Sequence, residues 1–246
     1  MTKNILSVDI GGSKVKLLAN GETEPRKFAS GEKLTPAKMV EQVKKVAKGW
    51  SYDAVSIGLP ALIGPEGPLA EPGNLAPGWV GFDYAAAFDC PVRMANDAAM
   101  QALGSYDGGR MLFLGFGTGL GSALIAEHVV VPLELGELHY RDATYSEELG
   151  RENYDHIGKK AWRKLALKAI PPLQKALLAD YVVVGGGNAK HLGKELPPNV
   201  RRGNNLTAFR GGFRLWGIDE MQTLEEAGSA HNADRRRFNN AEWRVL

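Results

Sequence analysis

The chain has 246 residues, 44% of them apolar, enough for one large domain or two modest lobes with a sizeable core. Its 30 basic and 28 acidic residues are well mixed and leave a net charge of +2, which excludes the broad basic field that dominates nucleic-acid binding. A single cysteine, Cys90, excludes an intramolecular disulfide and a cysteine-based zinc site, no stretch approaches the ~20 apolar residues of a membrane span, and Met1-Thr2-Lys3-Asn4 leads into a strand rather than a signal core, so the expected compartment is the cytoplasm.

In chain order, residues 5–9 and 15–19 read as strands flanking the turn Gly11-Gly12-Ser13-Lys14. Residues 35–48 read as an amphipathic helix, with Thr35 as cap, Pro36 in the first turn, and Met39, Val40, Val43, Val46 and Ala47 on one side. A strand is expected at 54–58. The Pro- and Gly-dense stretch 59–81 reads as a long structured loop, and such loops are often functional. A strand at 92–95 precedes a helix at 97–105, and strands at 111–116 and 122–126 flank a second glycine turn, Gly117-Thr118-Gly119-Leu120-Gly121. A helix is expected over 159–179, interrupted near Pro171-Pro172, followed by a strand at 181–185 that ends in Gly185-Gly186-Gly187. Residues 218–246 read as a polar, poorly ordered or peripherally docked tail, with Met221, Leu224 and Trp243 as its available anchors.

Glycine turns let backbone amides approach an anion closely, so two strand–turn–strand units together point to a phosphate chain. Asp9 stands directly before the first turn, and an isolated carboxylate beside phosphates fits Mg²⁺ held through water. Lys14 and Lys16 are candidate sources of positive charge there. The third cluster, Gly185 to Gly187, leads into a helix whose N-terminus would attract an anion, but it has neither Walker nor dinucleotide spacing. At the next strand–helix junction, Asn96 can position a hydroxyl while Asp97 accepts its proton, or Asp97 simply caps the helix. Glu134 and Glu137 flank Gly136, a pair able to bind several hydroxyls, and the neighbouring leucines place Glu134 partly out of solvent. The five histidines show no metal-ligand spacing.

The ordered set Asp9 to Ser13, Asn74-Leu75-Ala76-Pro77-Gly78-Trp79, Asn96-Asp97, Gly115 to Gly121, Glu134-Leu135-Gly136 and Val184 to Gly187 resembles the ROK-family sugar kinases, most of all the short branch with the polyphosphate glucokinases, over residues 5–216. The resemblance implies an α/β, actin-like fold of two ribonuclease H-like lobes around an active-site cleft. The small lobe would be 1–97 and the large lobe 98–217, with a helix near 205–216 packing back on the small lobe. It also implies transfer of a phosphoryl group from ATP or polyphosphate to a hexose hydroxyl, the 6-OH of a glucose-like sugar, with Mg²⁺, no structural zinc and a homodimer. Asp97 would be the catalytic base. Asp9, Gly11, Gly12, Ser13, Lys14, Gly117, Thr118, Gly119 and Gly121 would bind phosphate, and Gly185, Gly186 and Gly187 would border the nucleotide or distal phosphate. Asn74, Asn96, Asp97, Glu134, Glu137 and a downstream acid, Glu147 or Glu148 with Glu148 preferred, would face the sugar. Glu137 stands where the family usually has a histidine. If 137–139 were strand, His139 would lie about 6–7 Å along the same face and could not replace that side chain. This departure leaves two alternatives: a sugar-binding or sensor protein of the same fold, and an amino-sugar kinase in which Glu137 meets an ammonium group.

Overall fold

A computed structural model describes residues 4–204, 206–219, 238 and 240–246. The chain divides into two compact units, the described residues of 1–104 with 208–243, and 105–207 with 244–246.

The first unit is laid down as β1 (Ile5–Ile10), β2 (Lys14–Ala19), β3 (Arg26–Ala29), α1 (Pro36–Val46), β4 (Ala54–Leu59), β5 (Ile63–Gly64), β6 (Gly67–Pro68), α2 (Tyr84–Phe88), β7 (Val92–Asn96) and α3 (Asp97–Ser105). Its sheet has the order β3-β2-β1-β4-β7, antiparallel through the first three strands and parallel from β1 to β7. Strands β1 and β4 are buried at all six positions, as central strands covered on both faces must be. Helix α1 forms as expected: the Thr35 hydroxyl accepts the Lys38 amide at 3.3 Å, Pro36 occupies the first turn, and Met39, Val40 and Val43 are buried. The loop over 59–81 contains the short β5–β6 hairpin.

The second unit consists of β8 (Met111–Phe116), β9 (Leu120–Ala126), β10 (Val129–Leu133), a 3-10 turn (Leu135–Glu137), β11 (His139–Tyr140), β12 (Ala143–Thr144), α4 (Tyr145–Leu149), α5 (Arg151–Ala176), β13 (Tyr181–Gly185), a second 3-10 turn (Ala189–Leu192) and β14 (Val200–Arg202). Its main sheet runs β14-β13-β8-β9-β10, again three antiparallel strands continued by two parallel ones, and β15 (Arg244–Val245) joins it in parallel beside β10. Each unit thus repeats one strand order, the ribonuclease H-like arrangement of the actin-like fold.

Helix α6 (Thr207–Arg214) belongs to the first unit, and two glycines decide how it packs. A Cβ on Gly211 would collide with the Met100 carbonyl of α3, and one on Gly212 with the Ser7 hydroxyl of β1, so the helix backbone lies directly on the sheet. The Ser56 hydroxyl donates to the Gly212 carbonyl at 2.6 Å and accepts from Trp216 Nε1 at 2.9 Å. Beyond the helix, Arg214 and Asp219, both buried, form a bidentate pair at 2.8 and 3.1 Å. Arg214 also donates to the Leu103 carbonyl at 2.6 Å, and Arg210 reaches Asp219 at 2.7 Å.

Four expectations are corrected here. The 97/98 lobe boundary falls too early, because α3 stays with the first unit to Gly104 and buries Ala98, Ala99, Met100, Ala102 and Leu103. Helix α5 is two helical stretches that meet at Gly158, so the expected start at 159 holds for the second, but that stretch runs through Pro171 and Pro172 without the expected interruption. Its break is at Gly158 (φ 77°, ψ 162°), while Trp162, Ala166, Ala169, Ile170 and Leu173 bury one face and hold the proline-containing turns in place. Residues 218–246 are not wholly peripheral, since Asp219 is an internal ion-pair partner, Phe238 is buried under the Arg214 guanidinium, and Arg244–Val245 form a strand. Trp243 packs on Phe238 at 5.5 Å, whereas Met221 and Leu224 lie outside the described residues. Finally, Glu137 closes a 3-10 turn instead of lying on a strand. His139 pairs across β11–β12 with Thr144, so the two residues are not related by a translation along one face. Among the described residues no helix is long and apolar enough to cross a membrane.

Candidate functional site

In the first unit, β1 delivers Asp9 to the end of the sheet with its carboxylate nearly buried. The ladder sets Asp9 opposite Lys16, whose ammonium lies 3.6 Å from the carboxylate, so Lys16 rather than Lys14 is the neighbouring cation. Burial pushes the Asp9 carboxyl above its usual range, and Lys16 opposes that shift. The turn is closed by the Gly11 amide donating to the Lys14 carbonyl (3.0 Å) and by the Ser30 hydroxyl donating to the Gly11 carbonyl (2.7 Å). The Gly12 and Ser13 amides have no hydrogen-bond partner among the described residues and face solvent on exposed residues.

At the β7–α3 junction Asn96 and Asp97 share the cap. Asn96 Oδ1 accepts the Ala98 and Ala99 amides at 3.0 and 3.2 Å, Asp97 Oδ1 also accepts the Ala98 amide at 2.9 Å, and Asn96 Nδ2 donates to the Ala61 carbonyl at 3.3 Å. Asn96 is therefore spent largely on fixing the helix start and tying it to the 59–81 loop, with the partly buried Asp97 held next to it. Asn74 is exposed on that loop. A residue that sequence reasoning missed organises its surroundings: the Glu71 carboxylate accepts the amides of Gly78 and Trp79 at 3.0 Å and of Val80 at 3.3 Å, which lowers its pKa. The buried Trp79 indole donates to the Ala76 carbonyl at 2.7 Å.

In the second unit, the turn after β8 is held by its neighbours. The Gly117 amide donates to the Gly119 carbonyl (3.0 Å), the Arg151 amide to the Thr118 carbonyl (3.1 Å), and Asn188 Nδ2 to the Gly117 carbonyl (3.2 Å). The Thr118 and Gly119 amides have no hydrogen-bond partner among the described residues. The glycine cluster after β13 lies against this turn. Gly186 adopts φ 80°, and a Cβ there would strike the Phe116 backbone, which explains a glycine at that position. Asn188 is buried and joins the two turns, its amide bonding the Phe116 carbonyl at 2.9 Å.

Ser146 was also missed. Its hydroxyl accepts the Leu120 amide at 3.2 Å and touches Gly119 and Gly136, coupling the phosphate-type turn to the 134–137 segment. The signal for it was readable, because Thr144 and Glu147 form a capping box that starts α4 beneath it. Both downstream acids have partners: Glu147 is engaged by the Thr144 amide and hydroxyl at 2.8 and 2.9 Å, and Glu148 meets Arg141 at 3.3 Å. Glu134 is exposed rather than partly buried. Its carboxyl is nevertheless pushed up by local desolvation and by the charge of Glu137. Among the described residues no group of three or more His, Cys, Asp or Glu side chains is placed to hold a metal.

The likeness of the units to known proteins follows from these sheets and turns. A crystal structure of an inorganic polyphosphate/ATP-glucomannokinase from Arthrobacter sp. strain KM superposes with a TM-score of 0.72, at 21% identity, over 85% of this chain and 96% of that one. A ROK-family glucokinase from Streptomyces griseus, in complex with glucose and AMPPNP, gives a TM-score of 0.59 at 17% identity over 85% and 97%. The fold is that of the ROK sugar kinases. In sequence, the chain is 24% identical over 213 residues to a polyphosphate glucokinase of Mycobacterium tuberculosis, covering 77% of this chain and 80% of the relative. It is 24% identical over 212 residues to that of Mycobacterium leprae, covering 78% and 62%. No protein-family model matches the chain.

Proposed function

We propose that this protein is a sugar kinase that transfers the terminal phosphoryl group of ATP or polyphosphate to a hydroxyl of a glucose-like hexose. The observation that carries the reading is the pair of glycine turns, Gly11–Ser13 and Gly117–Gly121, each presenting two backbone amides without hydrogen-bond partners among the described residues at the end of a strand. Amides fixed in this way stabilise charge on phosphoryl oxygens without reorganising during the reaction. The similarity to proteins named polyphosphate glucokinase supports the same assignment.

In this mechanism the hexose hydroxyl oxygen attacks the terminal phosphorus, its new P–O bond forms as the bond to the donor's bridging oxygen breaks, and the hydroxyl proton passes to Asp97. Asn96, fixed by its cap and its bond to the 59–81 loop, holds the start of α3 so that Asp97 keeps one position. Exposed Asn74, Glu134 and Glu137, together with Glu148, are the proposed sugar contacts. A single nearly buried carboxylate, Asp9, fits Mg²⁺ bound through water better than direct ligation by several side chains. When bound, the ion would offset charge on the phosphates.

A coupled assay with Mg²⁺, a panel of hexoses and amino sugars, and ATP and polyphosphate supplied separately tests the reading. Turnover with a neutral hexose is expected. Asp97→Asn should lower kcat by about 10²–10⁴-fold with little change in sugar binding, and near-normal turnover would remove Asp97 from the mechanism. Sugar binding by calorimetry without turnover by any donor would favour a sensor of the same fold.

A further inference from the structure

Five basic side chains converge just past the Gly185–Gly187 turn. Arg163 packs its guanidinium on Gly193, with Cζ 2.5 Å from where a Cβ would stand, and Arg202 donates to the Gly193 carbonyl at 2.6 Å. Gly193 directly follows the 3-10 turn that carries Lys190 and His191. His191 stacks on Tyr154 with ring centroids 4.5 Å apart, and Arg151 lies 5.4 Å over the same tyrosine ring. Burial, then the charges of Lys190, Lys159 and Arg151, depress the His191 pKa, and Asp155 opposes them. Asp155 pairs with Arg151 at 2.7 Å, but Lys159, Arg163 and Lys190 have no ion-pair partner among the described residues, and Arg163 Nε is buried without a hydrogen bond among them.

The cluster is tied to the Gly117–Gly121 turn by the Arg151 amide on Thr118 and by Asn188 on Phe116 and Gly117. A nucleobase would need an open apolar or aromatic slot here, yet the two aromatic rings are already stacked on each other and the rim is cationic.

We infer that Arg151, Lys159, Arg163, Lys190 and Arg202 form an anion subsite that holds the distal units of a long linear polyphosphate. This deepens the proposed kinase reading and rests on it. Its consequence is chain-length selectivity: a long donor engages both the reacting turns and the subsite, whereas tripolyphosphate and ATP engage only the turns.

The test compares the full chain with the Lys159→Gln/Arg163→Gln/Lys190→Gln variant, using long-chain polyphosphate, tripolyphosphate and ATP as donors. The variant should raise KM for long-chain polyphosphate about tenfold or more, equivalent to about 1.4 kcal/mol. It should leave kcat, and the KM of any short donor that turns over, within about twofold, and should weaken the salt dependence of the long-chain KM. An unchanged long-chain KM, or an equal rise for every donor, overturns the inference. Lys190→Glu alone, at an exposed position, gives the same comparison if the triple variant does not fold. If the unmodified chain turns over no donor, the kinase reading fails while calorimetric binding of long-chain polyphosphate still decides the subsite, by its loss or persistence in the variant.

Discussion

Replacing Asp219 with Ala should be among the most damaging single changes in the first unit. Its Oδ1 accepts Arg210 Nε and Arg214 Nε at 2.7 and 2.8 Å, and its Oδ2 accepts the two terminal guanidinium nitrogens at 3.3 and 3.1 Å. Removing the carboxylate leaves the Arg214 guanidinium, 0% exposed, buried without its counter-charge. Breaking a buried pair in this way costs about 3–5 kcal/mol. For a chain of this size that corresponds to a fall in Tm of roughly 6–20 °C, read by scanning calorimetry. Arg210→Ala removes only the 21% exposed partner and should cost much less. Burial alone would raise the Asp219 pKa, but the hydrogen bonds and charge of Arg214, then Arg210, hold it below the usual value. Its contribution is therefore complete above the unfolded carboxyl value of about 3.9 and is lost as pH falls through the depressed folded value. A Tm drop below about 2 °C for Asp219→Ala would refute the view that this pair holds the end of α6.

Glu137→Gln should move the acid limb of the kcat/KM profile to lower pH, because it removes the second of the two influences that raise the Glu134 carboxyl; an unmoved limb would exclude Glu134 as the titrating group. Ser7→Ala should be nearly neutral in urea unfolding, since the Ser7 hydroxyl is buried without a hydrogen bond among the described residues, whereas Ser56→Ala should cost about 1–3 kcal/mol by stranding the Trp216 indole N–H. Equal losses from the two serines would contradict the hydrogen-bond assignment. Gly186→Ala, forced into φ 80° against the Phe116 backbone, should weaken donor binding and lower Tm, and a variant indistinguishable from the parent in both would show that the turn tolerates the side chain.

Much of this architecture was legible because its central strands are apolar runs broken at most by a single serine. Leu6 to Val8, Val55 to Ile57 and Val182 to Val184 could hardly be anything else, and the glycine turns follow them directly. What escaped was short or partnered from far away. Strand β3, Arg-Lys-Phe-Ala, has too little alternation to stand out, and β14 carries two arginines. A helix near 205–216 was expected from the resemblance, but its seat was not: the lack of side chains at Gly211 and Gly212 lets the helix lie on Met100, Ser7 and Ser56. The prolines of α5 misled, because propensity was overridden by the buried face from Trp162 to Leu173. Glu71 gave no local signal at all, since its three amide partners lie seven to nine residues ahead in a loop without periodicity. Of the candidate site, the turns and Asp97 were visible as motifs. Of the supports, Asn188 depends on tertiary contact, and only the strand register selects Lys16 over Lys14 as the partner of Asp9.

The position of α6 in the chain also bears on how the protein is made. The sheet face that Gly212 covers is built from β1 and β4, but the helix is translated only after the whole of 105–207, which forms a unit of its own. At about 5–20 residues per second, the first unit waits roughly 5–20 s with the seat of that helix open while the intervening residues are added. During that interval it presents a ready surface for holdase chaperones, so conditions that slow elongation between 105 and 207 should increase aggregation of nascent chains more than equal slowing within the first hundred residues.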